Sequence, residues 1–307
     1  MSAVLALDIG GTKIAAGVVA KDGTVLASSL APTPAGGSAS ELWDTTCGAL
    51  DAVLADHDGE IDGVGIGCGG PMQWPQGVIS PLNIPGWRDF PLLDRVKERY
   101  ARGGEVRIHN DAVCFALGES RYGASHAHPT SVGMVVSTGV GGGVIVDGHV
   151  VDGVSGNAGH IGHVVVDPDG PRCACGGRGC LEAIASGPAL TAWAGSQGWR
   201  PRESGEQPTA RAVAISAHDG DPIAIAALRR AGEAIGVALA SVAALLDVRI
   251  VVVGGGVAQS GDLLLGPARS AYTRYAGLHF IRDVAIVPTE LGPQAGLIGA
   301  AALLWQG

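Results

Sequence analysis

Four groups of residues in this 307-residue chain carry side chains able to do chemistry. The first is Asp8-Ile9-Gly10-Gly11-Thr12-Lys13, set between the apolar runs Val4–Leu7 and Ile14–Val19 and so read as strand, glycine turn, strand. Without Cβ atoms, the glycines let backbone N–H groups approach phosphate oxygens. Thr12 adds a hydroxyl, and the Asp8 carboxylate can hold a hydrated Mg²⁺ beside them. Standing alone, the motif would read as a tight hairpin turn. It is repeated, however, by Val132–Ser137, Thr138-Gly139-Val140-Gly141-Gly142-Gly143 and Val144–Val146, and each copy runs into a turn dipeptide, Asp22-Gly23 or Asp147-Gly148, ahead of more apolar residues. An internal repeat of this length points to a duplicated domain. Two phosphate turns facing one cleft would hold a nucleoside triphosphate.

The third group is His163, Cys173, Cys175 and Cys180, spaced H-x9-C-x-C-x4-C with glycines at 176, 177 and 179. Three thiolates and an imidazole suit a tetrahedral structural Zn²⁺, and the glycines let a short loop wrap one ion. Free cysteines or a disulfide are the alternatives. Three cysteines so close together are hard to explain as core packing, and a cytosolic chain disfavours a disulfide. Cys47, Cys68 and Cys114 lie in apolar contexts and read as core filler. The fourth group is Asn110-Asp111, where a strand over Val106–His109 meets a helix starting at Ala112. Either residue alone is a good helix N-cap. Phosphoryl transfer also needs a carboxylate at a strand end to accept the proton of an attacking hydroxyl, and Asp111 is the candidate for that base.

The elements that must position these groups alternate. After the first meander the pattern predicts a helix over Ser40–Asp56, a strand at Ile61–Ile66, a Pro/Gly-rich loop from Gly69 to Pro91, and a helix over Leu92–Ala101. The strand and helix flanking Asn110-Asp111 complete the first half. The second half continues through the Cys/Gly-rich excursion at about 167–180 to helices near 181–196, 208–218 and 221–246, strands at Arg249–Val253 and Val284–Val287, and a last helix at Ala295–Leu304. Strands first and then α/β alternation, in two copies, is the layout of a duplicated actin-like ATPase (ribonuclease H-like) α/β fold with two domains and a central cleft. The expected boundaries are residues 1–115 plus the C-terminal helix 293–307 for a small domain, and 116–292 for a larger one carrying the zinc-binding loop 163–180. Gly65-Ile66-Gly67-Cys68-Gly69-Gly70 matches a dinucleotide-binding fingerprint, but Pro71 and Pro75 stand where its helix should begin, and there is no P-loop sequence.

Composition agrees with an enzyme for small molecules. Twenty Lys plus Arg against 29 Asp plus Glu give a net charge of −9, which opposes non-specific binding to nucleic acid or anionic lipid. With three lysines in the chain, a phosphate grip must come mainly from backbone amides, metal and arginine. No signal-type segment and no apolar run of membrane-spanning length occurs, so the cytoplasm is expected. A homo-oligomer, dimer or tetramer, is the expected assembly, although the apolar face of Ile223–Leu246 could pack inside a domain or across subunits.

Together, Asp8–Lys13, Asn110-Asp111-Ala112, Ser137–Gly143, Gly162-His163, the cysteine motif with Glu182, and Val253–Gly256 resemble the ROK family, named for repressors, open reading frames and kinases, from the first strand to the last helix. The resemblance implies ATP- and Mg²⁺-dependent phosphoryl transfer to a hydroxyl of a hexose or amino sugar, usually the one on carbon 6. By position, Gly10, Gly11, Thr12 and Lys13 with Thr138, Gly139, Gly141 and Gly142 would serve the phosphates, and Gly254, Gly255 and Gly256 the adenosine end. Asp111 would be the base, with Asn110 and Glu182 on sugar hydroxyls. His163 would serve Zn²⁺ through one ring nitrogen and the sugar through the other. Asn83 reads equally as a sugar ligand or as part of a loop turn. Where most members have Glu-x-Gly-His, this chain has His160-Ile161-Gly162-His163, which replaces a carboxylate acceptor by one donor and one acceptor. Residues 158–163, 167–171 and 182–187 look most like bacterial N-acetylmannosamine kinases of the family. N-acetylmannosamine is therefore the expected sugar, with a glucokinase, or a kinase of glucosamine or N-acetylglucosamine, as the alternative. The family's repressors carry a helix-turn-helix ahead of the first glycine turn, where this chain has Met1–Leu7. A non-catalytic sugar sensor would have no need of Asp8, Asp111 and both glycine turns.

Overall fold

A computed structural model describes residues 2–202 and 207–306. Along the chain it has strands β1 (Ala3–Ile9), β2 (Lys13–Ala20) and β3 (Val25–Pro32), helix α1 (Ala39–Ala55), β4 (Gly63–Cys68), the short strands β5 (Met72–Gln73), β6 (Val78–Ile79) and β7 (Phe90–Pro91), α2 (Leu92–Tyr100), β8 (Glu105–Asn110) and α3 (Asp111–Tyr122). There follow β9 (Ser131–Val136), β10 (Val140–Val146), β11 (His149–Val150), α4 (Glu182–Ala185), α5 (Gly187–Ser196), α6 (Ala210–His218), α7 (Pro222–Leu246), β12 (Ile250–Gly254), α8 (Asp262–Tyr275), β13 (Ala285–Pro288) and α9 (Ala295–Ala302). The chain divides into two compact units, one of residues 1–129, 143–159 and 290–307, the other of residues 130–142 and 160–289.

The duplication expected from the sequence is visible in strand order. One sheet runs β3-β2-β1-β4-β8 and a second β11-β10-β9-β12-β13. In the first, β1 is antiparallel to β2 and parallel to β4, and β4 is parallel to β8. In the second, β12 is parallel to both β9 and β13. This is the duplicated α/β fold of the actin-like class. The placement of β1 explains why its run Ala3–Leu7 is apolar on both sides: Leu5, Leu7 and Ile9 enter the core under α1 and α2, while Val4 and Ala6 enter the core formed with α3 and α9. A strand covered on both faces has no polar side to alternate.

Helices pack on one another through glycines in both units. A Cβ on Gly299 of α9 would lie 1.6 Å from the Cys114 carbonyl oxygen of α3, and one on Gly118 would lie 2.5 Å from Ala295 O. On α7, Gly232 and Gly236 play the same part against Leu264 and Ala268 of α8, each 2.3 Å from a carbonyl oxygen. The α3–α9 contact also explains why the first unit extends beyond the expected limit at residue 115: α3 belongs wholly with α9 and so with β1.

Three elements differ from expectation. Residues 262–275 form α8, which the pattern did not reveal because Gly261, Gly266 and an internal Pro267 interrupt it. The expected helix over 181–196 is two, broken where Ser186 caps α5 and the Gly187 N–H donates to Ser137 O at 2.7 Å. The loop from Gly69 to Pro91 contains the small sheet β5-β6-β7. Among the described residues no helix is long and apolar enough to cross a membrane.

Candidate active site

In the first unit the candidate residues lie at the ends of regular elements. β1 and β2 are joined by a turn in which the Gly10 N–H donates to Lys13 O at 2.9 Å and Gly10 O accepts the Thr33 hydroxyl at 2.7 Å. Neither Gly10 nor Gly11 has a positive φ, so the turn itself does not demand glycine. Gly11 leaves room for a neighbour: a Cβ there would lie 2.8 Å from Asn83 Nδ2 and would displace that side chain. Asn83 therefore belongs beside the first glycine turn. A Cβ on Gly69 would find Asn83 Oδ1 at 3.4 Å and Asp111 Oδ2 at 3.9 Å, which brings the turn, Asn83 and Asp111 into one neighbourhood. The Gly65–Gly70 run is no dinucleotide site, since β5 follows it. Two of its glycines answer packing: Gly65 faces Ala300 O and Gly67 faces Cys114, whereas at Gly69 a Cβ would make ordinary contacts with the two polar side chains just named.

Asp111 is the first residue of α3, and Asn110 caps that helix, its Oδ1 accepting the Ala112 N–H at 3.0 Å. The same N–H reaches Asp111 Oδ1 at 2.9 Å, leaving Oδ2 on the side of Gly69. Burial raises the Asp111 carboxyl above the usual carboxylate range, with the Ala112 N–H opposing the rise. Burial also lifts Asp8 to about 7, the Asp111 charge adding to the rise and Lys13 countering it. Two interacting carboxylates with raised pKa values suit both a base working near neutrality and a site that gains from a cation. At Gly296, the second residue of α9, a Cβ would lie 2.7 Å from Asp8 Oδ2. Gly296 and Thr33 were not legible as site residues, because nothing in their local sequence pairs them with Asp8 or the turn.

In the second unit the groups gather around Val140. The run Thr138–Gly143 is less a turn than expected: the turn is Ser137–Gly139, closed by the Ser137 N–H to Gly139 O at 2.8 Å, and from Val140 onward the chain is β10. Gly141 and Gly142 are strand residues. Glu182 Oε2 accepts the Val140 N–H at 2.8 Å, and a Cβ on Gly139 would lie 2.8 Å from the same oxygen. A Cβ on Gly162 would sit 2.0 Å from Val140 O, so the turn preceding His163 is pressed onto the same strand. Gly255, at φ +96°, faces Val136 O, and Gly256 lies near Ser137 Oγ, so the Gly254–Gly256 turn abuts the second hairpin.

The cysteine loop brings all four expected ligands together: one donor atom each from His163, Cys173, Cys175 and Cys180 lies within 4.8 Å of every other. His163 Nδ1 is 3.8 Å from Cys173 Sγ, and Cys175 Sγ is 3.8 Å from Cys180 Sγ. That sulfur separation excludes a disulfide and matches two thiolates on one tetrahedral ion with Zn–S bonds of about 2.3 Å. The donor set fits Zn²⁺. With Nδ1 turned to the thiols, Nε2 is the ring nitrogen left for another partner. His160 is exposed, its ring 6.0 Å from that of His163 in an edge-on arrangement.

Duplicated sheets that each open on a glycine hairpin, one of them beside a strand-end carboxylate, are the layout of phosphotransferases of actin-like fold. The chain belongs to the ROK family, whose family model matches residues 4–306. It is 35% identical over 315 residues to a glucokinase from Streptomyces coelicolor, covering 99% of this chain and 98% of the relative. It is 34% identical over 311 residues to an N-acetylmannosamine kinase from Yersinia pseudotuberculosis, covering 98% and 97%. Among solved structures, a ROK family glucokinase from Streptomyces griseus in complex with glucose and AMPPNP superposes with a TM-score of 0.88 at 35% identity, covering 100% of both chains. The protein is thus a sugar kinase, a phosphotransferase with an alcohol acceptor. The expected nearest likeness to N-acetylmannosamine kinases is corrected by these matches: the Streptomyces coelicolor glucokinase agrees at slightly higher identity and coverage than the N-acetylmannosamine kinase, and the Streptomyces griseus glucokinase superposes over the full length. The His160–His163 run is a few residues near one site, and the likeness of the whole chain does not follow it.

Proposed function

We propose that the protein transfers the γ-phosphoryl group of ATP to the 6-hydroxyl of glucose. The observation that carries the chemistry is Asp111, held at the head of α3 with Oδ2 turned toward Gly69 and Asn83 and its carboxyl raised by burial. The whole-length likeness to glucokinases supports the choice of sugar.

In this reading the first unit supplies the base and one phosphate turn. Asp111 takes the proton of the 6-hydroxyl while that oxygen forms its bond to the γ-phosphorus, and ADP departs with the electrons of the broken P–O bond. Gly10–Lys13 and Thr138–Gly142 offer backbone to the phosphates, and Gly254–Gly256 serves the adenosine end. Asn110, Asn83, His160, His163 and Glu182 recognise sugar hydroxyls. Glu182 has Oε2 engaged by Val140, which leaves Oε1 for that task. Bound Mg²⁺ would supply positive charge against the phosphates, with Asp8 as the carboxylate able to hold it directly or through water. Zn²⁺ would be held by His163, Cys173, Cys175 and Cys180 in a structural role, fixing which ring nitrogen of His163 faces outward.

The test is a comparison of kcat/KM for glucose, mannose, glucosamine, N-acetylglucosamine and N-acetylmannosamine with ATP as donor. Glucose should give the highest value. A higher value for any acetylated amino sugar would overturn the assignment of the sugar while leaving the kinase chemistry intact.

A further inference from the structure

His109, the residue before Asn110, lies outside everything assigned above. It is 4% exposed, and both ring nitrogens are engaged within the first unit. Nδ1 accepts the Asn110 N–H at 2.8 Å, and Nε2 lies 3.0 Å from Asp152 Oδ1. An imidazole nitrogen that accepts an N–H carries no proton, so the neutral ring must carry its hydrogen on Nε2 and donate it to Asp152. Burial, which lowers the pKa of His109, favours that neutral form. The ring is thus a fixed bridge from the backbone of Asn110 to Asp152.

Asp152 belongs to the segment 151–159, whose next residues are His160–His163. That segment closes on itself, Asp152 O accepting the Ala158 N–H at 3.1 Å. It is seated on a second support: a Cβ on Gly156, at φ +72°, would lie 2.3 Å from Trp74, whose ring centroid is 6.2 Å from that of His109. We propose that His109 is a positioning residue which, by joining Asp152 to Asn110, sets the loop leading into His160 in register with the head of α3 and thereby sets the affinity for the sugar. The inference rests on the reading that Asn110, His160 and His163 bind the sugar. It assigns His109 no contact with substrate.

The test is calorimetric binding of glucose, with kcat and KM, on the full-length protein and four variants. Asp152→Ala removes the acceptor at a side chain that is 40% exposed, so the fold should tolerate it. Asp152→Asn keeps an acceptor oxygen for Nε2–H. In His109→Asn the short amide can still accept the Asn110 N–H but cannot reach residue 152. The fourth variant combines His109→Asn with Asp152→Ala. Each of Asp152→Ala and His109→Asn should weaken glucose binding about tenfold, a usual scale for coupled neighbours, with kcat at saturating glucose changed by less than about threefold. Asp152→Asn should restore affinity to within about twofold, and the double variant should bind no more weakly than the weaker single one. Wild-type affinity in Asp152→Ala, losses that multiply in the double variant, or an effect on kcat rather than affinity would each overturn the role. Absence of glucose binding in the unaltered protein would instead overturn the proposed function, and this inference with it. Turnover by Asp111→Asn in the same assay would count against the base alone.

Discussion

The two units hold their chemical groups by different means. In the first, Asp8 lies in β1, Asn110 ends β8, Asp111 begins α3 and Gly296 lies in the first turn of α9, so each position follows from strand pairing and helix packing. In the second, His160 and His163 sit in the stretch 160–181, which contains no α-helix and no strand of the second sheet. That stretch is tied down by the antiparallel bridge Val165–Cys180 and by the seating of Gly162 and Glu182 on Val140, and it carries the Cys₃His set that could hold a metal ion. A duplicated scaffold has thus kept its architecture in both copies while one copy places its side chains on core elements and the other on a loop that carries a potential metal-ligand set. The lesson is that the two groups should fail under different insults.

The largest expected effect is on the first unit. Asp111→Asn should lower kcat by about two to four orders of magnitude, the usual scale for a general base, while calorimetric glucose affinity stays within about twofold. Near-normal turnover would remove Asp111 from the mechanism. The second unit should respond to metal loss with a smaller and different change. Cys175→Ser, or prolonged chelation, should lower the zinc content read by elemental analysis, reduce Tm, and weaken glucose binding by about tenfold to a hundredfold, as when a metal-bound imidazole loses its orientation. If the zinc-free protein bound glucose normally, the contrast between the units would collapse.

The smallest effect sharpens the contrast through pH. Because the folded-state pKa of Asp8 is raised to about 7 from 3.8, the folded chain holds a proton that the unfolded chain has lost between those values. Asp8 therefore costs stability progressively as pH rises through that window, and the cost is absent only below it, where folded and unfolded chains are both protonated. Asp8→Asn should match the parent in Tm only near about pH 4, draw ahead progressively as pH rises toward about 7, and hold its full lead of several degrees near pH 8, with added Mg²⁺ narrowing the gap. A gap that stayed constant with pH would mean that the Asp8 carboxyl is not perturbed.

Much of this was legible because its signals are local. The first glycine turn, the cysteine spacing and the Asn110-Asp111 junction each lie within a few consecutive residues, and the structure keeps each group together. The repeat was legible for the same reason, since each copy opens with a strand, a turn and a strand. What escaped depends on partners distant in sequence. Gly11 lies against Asn83 and Gly296 against Asp8, where a Cβ would crowd those side chains, and His109 has its partner 43 residues away. α8 escaped for another reason: Pro267 within it and Gly261 before it are local signals that argue against the helix which packing on Gly232 and Gly236 stabilises. His160 is the opposite case, a local departure from the family pattern that the likeness of the whole chain to the Streptomyces glucokinases does not follow.

The most direct test of the central claim is identification of the product when the purified protein is incubated with ATP, Mg²⁺ and glucose. Phosphorus NMR should show loss of the ATP γ-phosphate and the growth of one monoester resonance, assigned to glucose 6-phosphate by its proton coupling, and Asp111→Asn should form it at least a hundredfold more slowly, the lower bound for losing a general base. Phosphate appearing at the anomeric oxygen, or ATP persisting unchanged beside glucose, would contradict the account.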